Sequence, residues 1–206
     1  MTKYFITGIG TNVGKTLVSA ILCEALQADY WKPVQCGTED GRDMETVKNL
    51  LSNSKSICYD ETYLLKEPAS PHLAAKKEGI TIDLTRLILP TTSDTLLVEG
   101  AGGPLVPLND KYFVIDIAKQ YRLPVILVVS SYLGCINHSL LAIDYLVNHG
   151  FQIKGLILNG DFDADVKEPI VRYKNIPVLA EIPHSAKADK EFVSYQASRF
   201  NIYQFL

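Results

Sequence analysis

The chain has 206 residues, of which 47% are hydrophobic and 21% charged, and its formal net charge is −3. That composition is ordinary for a globular protein and argues against a strongly basic nucleic-acid binder. No apolar run approaches the roughly 18 residues of a membrane span, and the N-terminus from Met1 enters a strand pattern without a signal-peptide pattern. Cys23, Cys36, Cys58 and Cys135 lack the short paired spacings of a zinc site or a disulfide framework. The expectation is a cytoplasmic protein with no nucleic-acid and no membrane partner.

Residues 4–6 form an apolar strand pattern, and Leu17, Ile21, Leu22 and Ala25 recur behind it at helical spacing. Between them lies Gly8-Ile9-Gly10-Thr11-Asn12-Val13-Gly14-Lys15-Thr16. A glycine-rich turn between a strand and a helix suits a phosphate. Backbone N–H groups approach the anion closely, and the helix N-terminus adds partial positive charge. Lys15 would reach the outer phosphates, and the Thr16 hydroxyl would hold a magnesium ion. The loop is a variant of G-x-x-x-x-G-K-[ST], because the first glycine of that pattern falls at Ile9.

Further strands are predicted at 30–34, 95–99, 124–129, 155–158 and 177–180, the third of these a nearly unbroken apolar run expected to be covered on both faces. Helices are predicted at 42–51, 71–77, 84–89, 116–121, 165–174 and 187–200, and another through Ile136, Leu140, Ile143 and Val147 ends at Gly150. Residues 56–65 read as either an extended segment or a loop, and the apolar tail 202–206 as docked on the core. Alternating strands and helices predict an α/β fold, with one mostly parallel sheet and helices on both faces. One domain of P-loop NTPase type is expected over 1–206.

In such sheets, ligands bind beyond the carboxyl ends of the strands. Five segments deliver candidates to that rim: the glycine loop, Lys32, Glu99, Asn159 and Pro183. Glu99 fits a magnesium carboxylate. Asp43 reads either as a second metal carboxylate or as a helix N-cap. Lys32, between an aromatic residue and a proline, would be a second cation beside transferred phosphate oxygens. Residues 133–138 open a helix whose free N–H groups could bind a carboxylate, with Asn137 also readable as an N-cap and His138 as a surface histidine. His72, His149 and His184 have no metal-like spacing with each other.

Several stretches together resemble one family, the dethiobiotin synthetases, ATP-dependent enzymes of biotin synthesis. They are Phe5-Ile6-Thr7-Gly8 with Thr11 and Val13-Gly14-Lys15-Thr16, Trp31-Lys32-Pro33-Val34, and Val98-Glu99-Gly100-Ala101-Gly102-Gly103. Pro124-Val125-Ile126-Leu127-Val128-Val129, Leu133-Gly134-Cys135-Ile136-Asn137-His138 and Glu181-Ile182-Pro183 continue the series in order over almost the whole chain. The resemblance implies that 7,8-diaminononanoate is carboxylated by CO2, that the carbamate takes the γ-phosphoryl group of ATP, and that the second amine closes a cyclic urea. It implies Lys15, Lys32 and Thr11 as catalytic groups and Thr16, Asp43 and Glu99 as Mg2+ ligands. Nucleotide contacts would come from Asn12, Val13, Gly14, Lys15, Thr16 and Leu17. Asp43, Glu99, Gly100, Ala101 and Gly102 would also serve the nucleotide, with Asn159 reading adenine beside Gly160, Pro183, His184 and Ser185. Thr11, Lys32 and Cys36 would contact the substrate. Gly134, Cys135, Ile136 and Asn137 would hold its carboxylate tail across the interface of a homodimer.

Asn12 departs from the family pattern, standing where a glutamate is common, and Cys36 where a serine often contacts substrate. Lys190 or Glu191 falls where a glutamate touches the nucleotide. The alternative is a partition-type or regulatory ATPase on the same fold. Partition enzymes usually carry an extra lysine early in the loop, and no lysine lies between Gly8 and Val13.

Overall fold

The glycine-rich segment follows the central strand of a seven-stranded parallel sheet. The computed structural model describes residues 2–39 and 41–205; Met1 of the N-terminal segment and Leu206 of the apolar tail lie outside them. The elements run β1 (Lys3–Gly8), α1 (Lys15–Leu26), β2 (Asp29–Trp31), β3 (Val34–Cys36), α2 (Asp43–Leu50), β4 (Cys58–Tyr59), β5 (Tyr63–Leu65) and α3 (Pro71–Lys77). They continue with β6 (Leu96–Glu99), α4 (Asp116–Tyr121), β7 (Val125–Ser130), α5 (Cys135–Asn148), β8 (Ile153–Asn159), α6 (Ala164–Arg172), β9 (Val178–Ile182) and α7 (Lys190–Ser198).

Side-chain alternation along β1 sorts the core into layers. Tyr4 and Ile6 pack with Val18, Ile21 and Leu22 of α1, with Val47 of α2 and with Val193 of α7. Phe5 points the other way, into a cluster with Trp31, Leu96, Val98 and Ile117. Successive strand residues face opposite sides, so one short strand serves both layers. β7 is buried from Val125 to Val129, as its unbroken apolar run predicted. Leu127 and Val129 meet Cys135 and Ile143 of α5 and Ile170 of α6.

The strand order is β4-β2-β6-β1-β7-β8-β9. From β1 the chain moves outward to β2 and β4, returns to β6 beside β1, and then crosses to β7, β8 and β9. The direction of winding reverses at β1, and a crevice opens there at the carboxyl ends of the strands. The glycine loop, Lys32, Glu99 and Asn159 all reach that rim.

Some expectations need correction. The strand predicted at 30–34 breaks at Pro33. β2 stays in the main sheet, while β3 pairs with β5 in a separate two-stranded parallel sheet. Proline has no N–H to offer a ladder; its carbonyl accepts from the Thr62 and Tyr63 N–H groups instead. Residues 56–65, left open between extended segment and loop, hold the two short strands β4 and β5. The helix predicted at 84–89 is a single 3-10 turn, Leu84–Arg86, started by the Asp83 carboxylate accepting from Thr85 N–H. α7 starts at Lys190, where the Asp189 carboxylate accepts from Phe192 N–H, and not at 187. Neither Asp43 nor Asn137 is an N-cap: their helices are preceded by Arg42 and Gly134, and both residues lie inside the first turn. Gly150 follows α5 at φ 75°, the left-handed geometry expected of a residue past a helix end. In the tail, Phe205 is buried, its ring stands edge-on to Tyr4 at 5.7 Å, and its carbonyl accepts from the Tyr4 hydroxyl at 2.6 Å.

Candidate functional site

The loop between β1 and α1 owes its shape to glycine at one position above all. Gly14 has φ 88°, and a Cβ there would lie 2.1 Å from Asn159 Nδ2. L-residues adopt that conformation only with strain. The Asn159 side chain, from the end of β8, donates to the Val13 carbonyl at 3.0 Å. The residue expected to read adenine therefore also anchors the loop, leaving one amide hydrogen and its carbonyl oxygen for another partner. Lys15 is buried, and its ammonium donates to the Gly10 carbonyl at 3.0 Å. Burial lowers its pKa; Glu99 opposes that shift, Lys32 adds to it, and Asp43 opposes it again.

Behind the loop lies a buried charge cluster. Glu99 ends β6 with its side chain fully buried. Its Oε1 accepts from the Thr16 hydroxyl at 3.3 Å and lies 3.6 Å from Lys32 Nζ. Its Oε2 accepts from the Ser19 hydroxyl at 2.7 Å and the Tyr30 hydroxyl at 3.0 Å. Lys32 forms an ion pair with Asp43, at the start of α2. Burial would depress the Lys32 ammonium, but Glu99 and Asp43 together outweigh it and hold the pKa above its ordinary value. The position of α2 is fixed in turn by Arg42, which binds Glu61 and reaches Asp60 at 2.6 Å.

Thr16, Asp43 and Glu99 thus present one hydroxyl and two carboxylates around a space that Lys32 shares. An all-oxygen set with few protein ligands suits magnesium, which keeps several of its waters. Among the described residues, no group of three or more His, Cys, Asp and Glu forms a dedicated metal cage.

Two clefts flank the loop, and Thr11 and Asn12 line both. The first, of about 850 Å³, holds Lys15, Thr16, Lys32, Cys36, Asp43 and Glu99. Ala101 and Gly102 border this cleft. Gly100 borders neither; it is buried, and an added Cβ would strike Phe5 and Val114 at 2.8 Å. The second, of about 650 Å³, is lined by Leu17, Asn159, Gly160, Pro183, His184 and Ser185. Lys190 and Glu191 are exposed and border neither cleft. Gly134 and Asn137 are exposed and also lie outside both. The Cys135 side chain is in the core, and its N–H donates to the Tyr132 carbonyl at 3.0 Å.

Sequence reasoning missed Ser19, Tyr30 and Gln35. The Gln35 side-chain oxygen accepts from the Asp43 N–H at 3.3 Å. Ser19 carried a usable signal, because it lies one helical turn beyond Thr16 on the same face. Tyr30 carried none, since its pairing with Glu99 depends on β2 lying beside β6. Tyr132 and His138, joined at 2.7 Å, border the second cleft and were not expected there.

Cys36 borders the first cleft, and burial pushes its thiol up to about 11, with Lys32 pulling the other way. The thiol is therefore neutral near pH 7 and acts only as a weak donor. Cys36→Ser is expected to keep kcat/KM within about threefold of the parent, since the change is small in volume and a hydroxyl makes the same contact. Steady-state kinetics on the folded variant check this, and a collapse of activity would mean that the thiol itself matters.

The comparisons with known proteins agree with this geometry. A family described as an AAA domain matches residues 2–191. The chain is 46% identical over 198 residues to an ATP-dependent dethiobiotin synthetase of Cytophaga hutchinsonii, covering 96% of each chain. It is 43% identical to the enzyme of the same name from Christiangramia forsetii, covering 96% of this chain and 95% of that one. Its fold is that of a ParA family ATPase from Chlorobium tepidum, with a TM-score of 0.61 at 11% identity over 97% of this chain and 99% of that one. Full-length identity at this level means that the chain belongs to the ATP-dependent dethiobiotin synthetase family.

Proposed function

We propose that this chain converts 7,8-diaminononanoate, CO2 and ATP into dethiobiotin, ADP and phosphate. The observation that carries the proposal is the meeting of Lys15 and Thr16 with the Lys32–Asp43–Glu99 cluster in one cleft. An amine of the substrate adds CO2 and loses a proton, giving a carbamate. A carbamate oxygen attacks the γ-phosphorus of ATP, and ADP departs. The second amine then attacks the carbonyl of the resulting carbamic–phosphoric anhydride; phosphate leaves, a second proton is lost, and the ring closes.

Lys15 turns from the Gly10 carbonyl to the transferred phosphoryl oxygens. Lys32 holds the carbamate and stabilises the charge that develops on it, with Thr11 beside it. Fixed cations in a site screened from water need little reorganisation during reaction. Thr16, Asp43 and Glu99 would hold magnesium, which supplies charge neutralisation on the nucleotide phosphates when bound. Asn159, Gly160, Pro183, His184 and Ser185 take the base end of the nucleotide. Ala101 and Gly102, at the edge of the first cleft, serve the nucleotide there, with Gly100 buried behind them.

We further propose one catalytic domain over 1–206 acting as a homodimer in the cytoplasm. Leu133 and Leu141 support the dimer: both are exposed apolar residues on the segment and helix that carry Gly134 and Asn137. A partner seated there would bring those residues to its substrate. Among the described residues, no helix is long and apolar enough to cross a membrane.

Purified protein incubated with ATP, magnesium, bicarbonate and 7,8-diaminononanoate is expected to yield dethiobiotin by mass spectrometry, and only when all four are present. ATP binding without product would favour the partition-type or regulatory reading.

A further inference from the structure

We propose that Ser19 and Tyr30 are positioning residues that divide the Glu99 carboxylate into a held oxygen and a free one. The proposal rests on the reading above, in which Glu99 is a ligand of the catalytic cation.

A carboxylate only accepts hydrogen bonds, and its two oxygens are chemically equivalent until the surroundings distinguish them. Here the surroundings do so sharply. Oε2 takes two hydroxyl donors, Ser19 at 2.7 Å and Tyr30 at 3.0 Å, from residues that are fully buried. Oε1 faces the cleft, with Thr16 at 3.3 Å and Lys32 at 3.6 Å as its only partners among the described residues. Both Oε1 partners can leave: one is a rotatable hydroxyl, the other an ammonium on a flexible stem. The Oε2 donors are enclosed instead: Ser19 and Tyr30 are fully buried with no solvent or cleft to turn to, whereas Thr16 is partly exposed at the cleft. Ser19 is on α1, one turn after Thr16, and Tyr30 is on β2, where it pairs with Leu97 of the strand that ends at Glu99.

This arrangement prevents the carboxylate from rotating to offer both oxygens at once. It fixes Glu99 as a one-oxygen ligand, at the end of a strand that would otherwise leave its χ angles free. Magnesium tolerates little departure from octahedral geometry, so a ligand that cannot swing gains more here than it would toward a larger cation. Groups that orient a ligand from behind also set its affinity for the metal.

The test uses Mn2+ as the probe, with ADP, and reads the metal by electron paramagnetic resonance. Tyr30→Phe keeps the ring and removes only the hydroxyl. It is expected to weaken Mn2+ binding in the ADP complex about tenfold, and to raise the Mg2+ concentration needed for half-maximal turnover in parallel. ADP affinity without metal, and the thermal unfolding midpoint relative to Tyr59→Phe, are expected to move little. Ser19→Ala is expected to act in the same direction, and serves if Tyr30→Phe does not fold. Ca2+ competition sharpens the result, since Ca2+ binding is expected to suffer less than Mn2+ binding in both variants.

Glu99→Gln separates the two ideas. Loss of Mn2+ affinity in Glu99→Gln, with Tyr30→Phe and Ser19→Ala both unchanged, overturns the positioning role and leaves Glu99 as a ligand. Unchanged Mn2+ affinity in Glu99→Gln overturns the ligand reading, and the positioning proposal with it.

Discussion

Lys32→Gln is expected to lower kcat by about two to three orders of magnitude, with ADP affinity nearly unchanged. Lys32 is a buried cation of the first cleft, between Asp43 and Glu99. Glutamine keeps hydrogen-bonding capacity but removes the positive charge that the reacting carbamate needs. The loss therefore belongs to the transition state and not to nucleotide binding. The fold is expected to survive. Glu99 still accepts from Thr16, Ser19 and Tyr30, and Asp43 is partly exposed and can be hydrated. Arginine is not expected to rescue the activity, because its planar fork cannot occupy the compact space of an ammonium. Single-turnover kinetics at saturating substrate, together with calorimetric ADP binding, make the test. Turnover that survives Lys32→Gln unchanged would remove Lys32 from the mechanism.

Gly14→Ala is expected to weaken ATP binding about a hundredfold, from the left-handed backbone cost of roughly 1–2 kcal/mol and a lost hydrogen bond of about 1 kcal/mol. The new methyl group would lie 2.1 Å from Asn159 Nδ2 and push that side chain off the Val13 carbonyl. The loop would then lose its anchor from β8 at the same time as its own geometry. The double variant Gly14→Ala/Asn159→Ala removes the collision but not the φ of 88°. It is expected to recover part of the stability and little of the ATP affinity. Isothermal titration with ATP in both variants decides the point. Parental affinity in Gly14→Ala would mean that the loop rearranges freely, and that its geometry is not what binds phosphate.

Much of the fold was legible because it is written in local patterns. Apolar runs at 4–6, 95–99 and 124–129 each occupy a sheet slot, and the helical spacing of Leu17, Ile21, Leu22 and Ala25 became α1. The break at Pro33 was missed although its cause is local. A proline inside a strand pattern ends the ladder, and the lysine before it was read for chemistry instead. Of the candidate site, the loop, Lys32 and Glu99 could be picked out by residue type at strand ends and Asp43 at a helix start, and they meet in one cleft. Asp43 could not be separated from an N-cap by sequence, because both roles want a short carboxylate at the same place.

The sequence by itself determined the layer architecture, the phosphate-type loop and the family, since periodicity, glycine placement and motif order are properties of neighbouring residues. Tertiary structure alone decided which groups face one another across long stretches of chain. Asn159 reaches back to Val13 across 146 positions, Tyr30 finds Glu99 across 69, and the Cys135 thiol packs in the core with Leu127 and Val129. Those outcomes depend on strand order, and strand order is set by how two apolar faces of one sheet are covered. No local pattern in this chain specifies that β6 returns between β2 and β1, yet that placement puts Glu99 beside Thr16, Ser19, Tyr30 and Lys32.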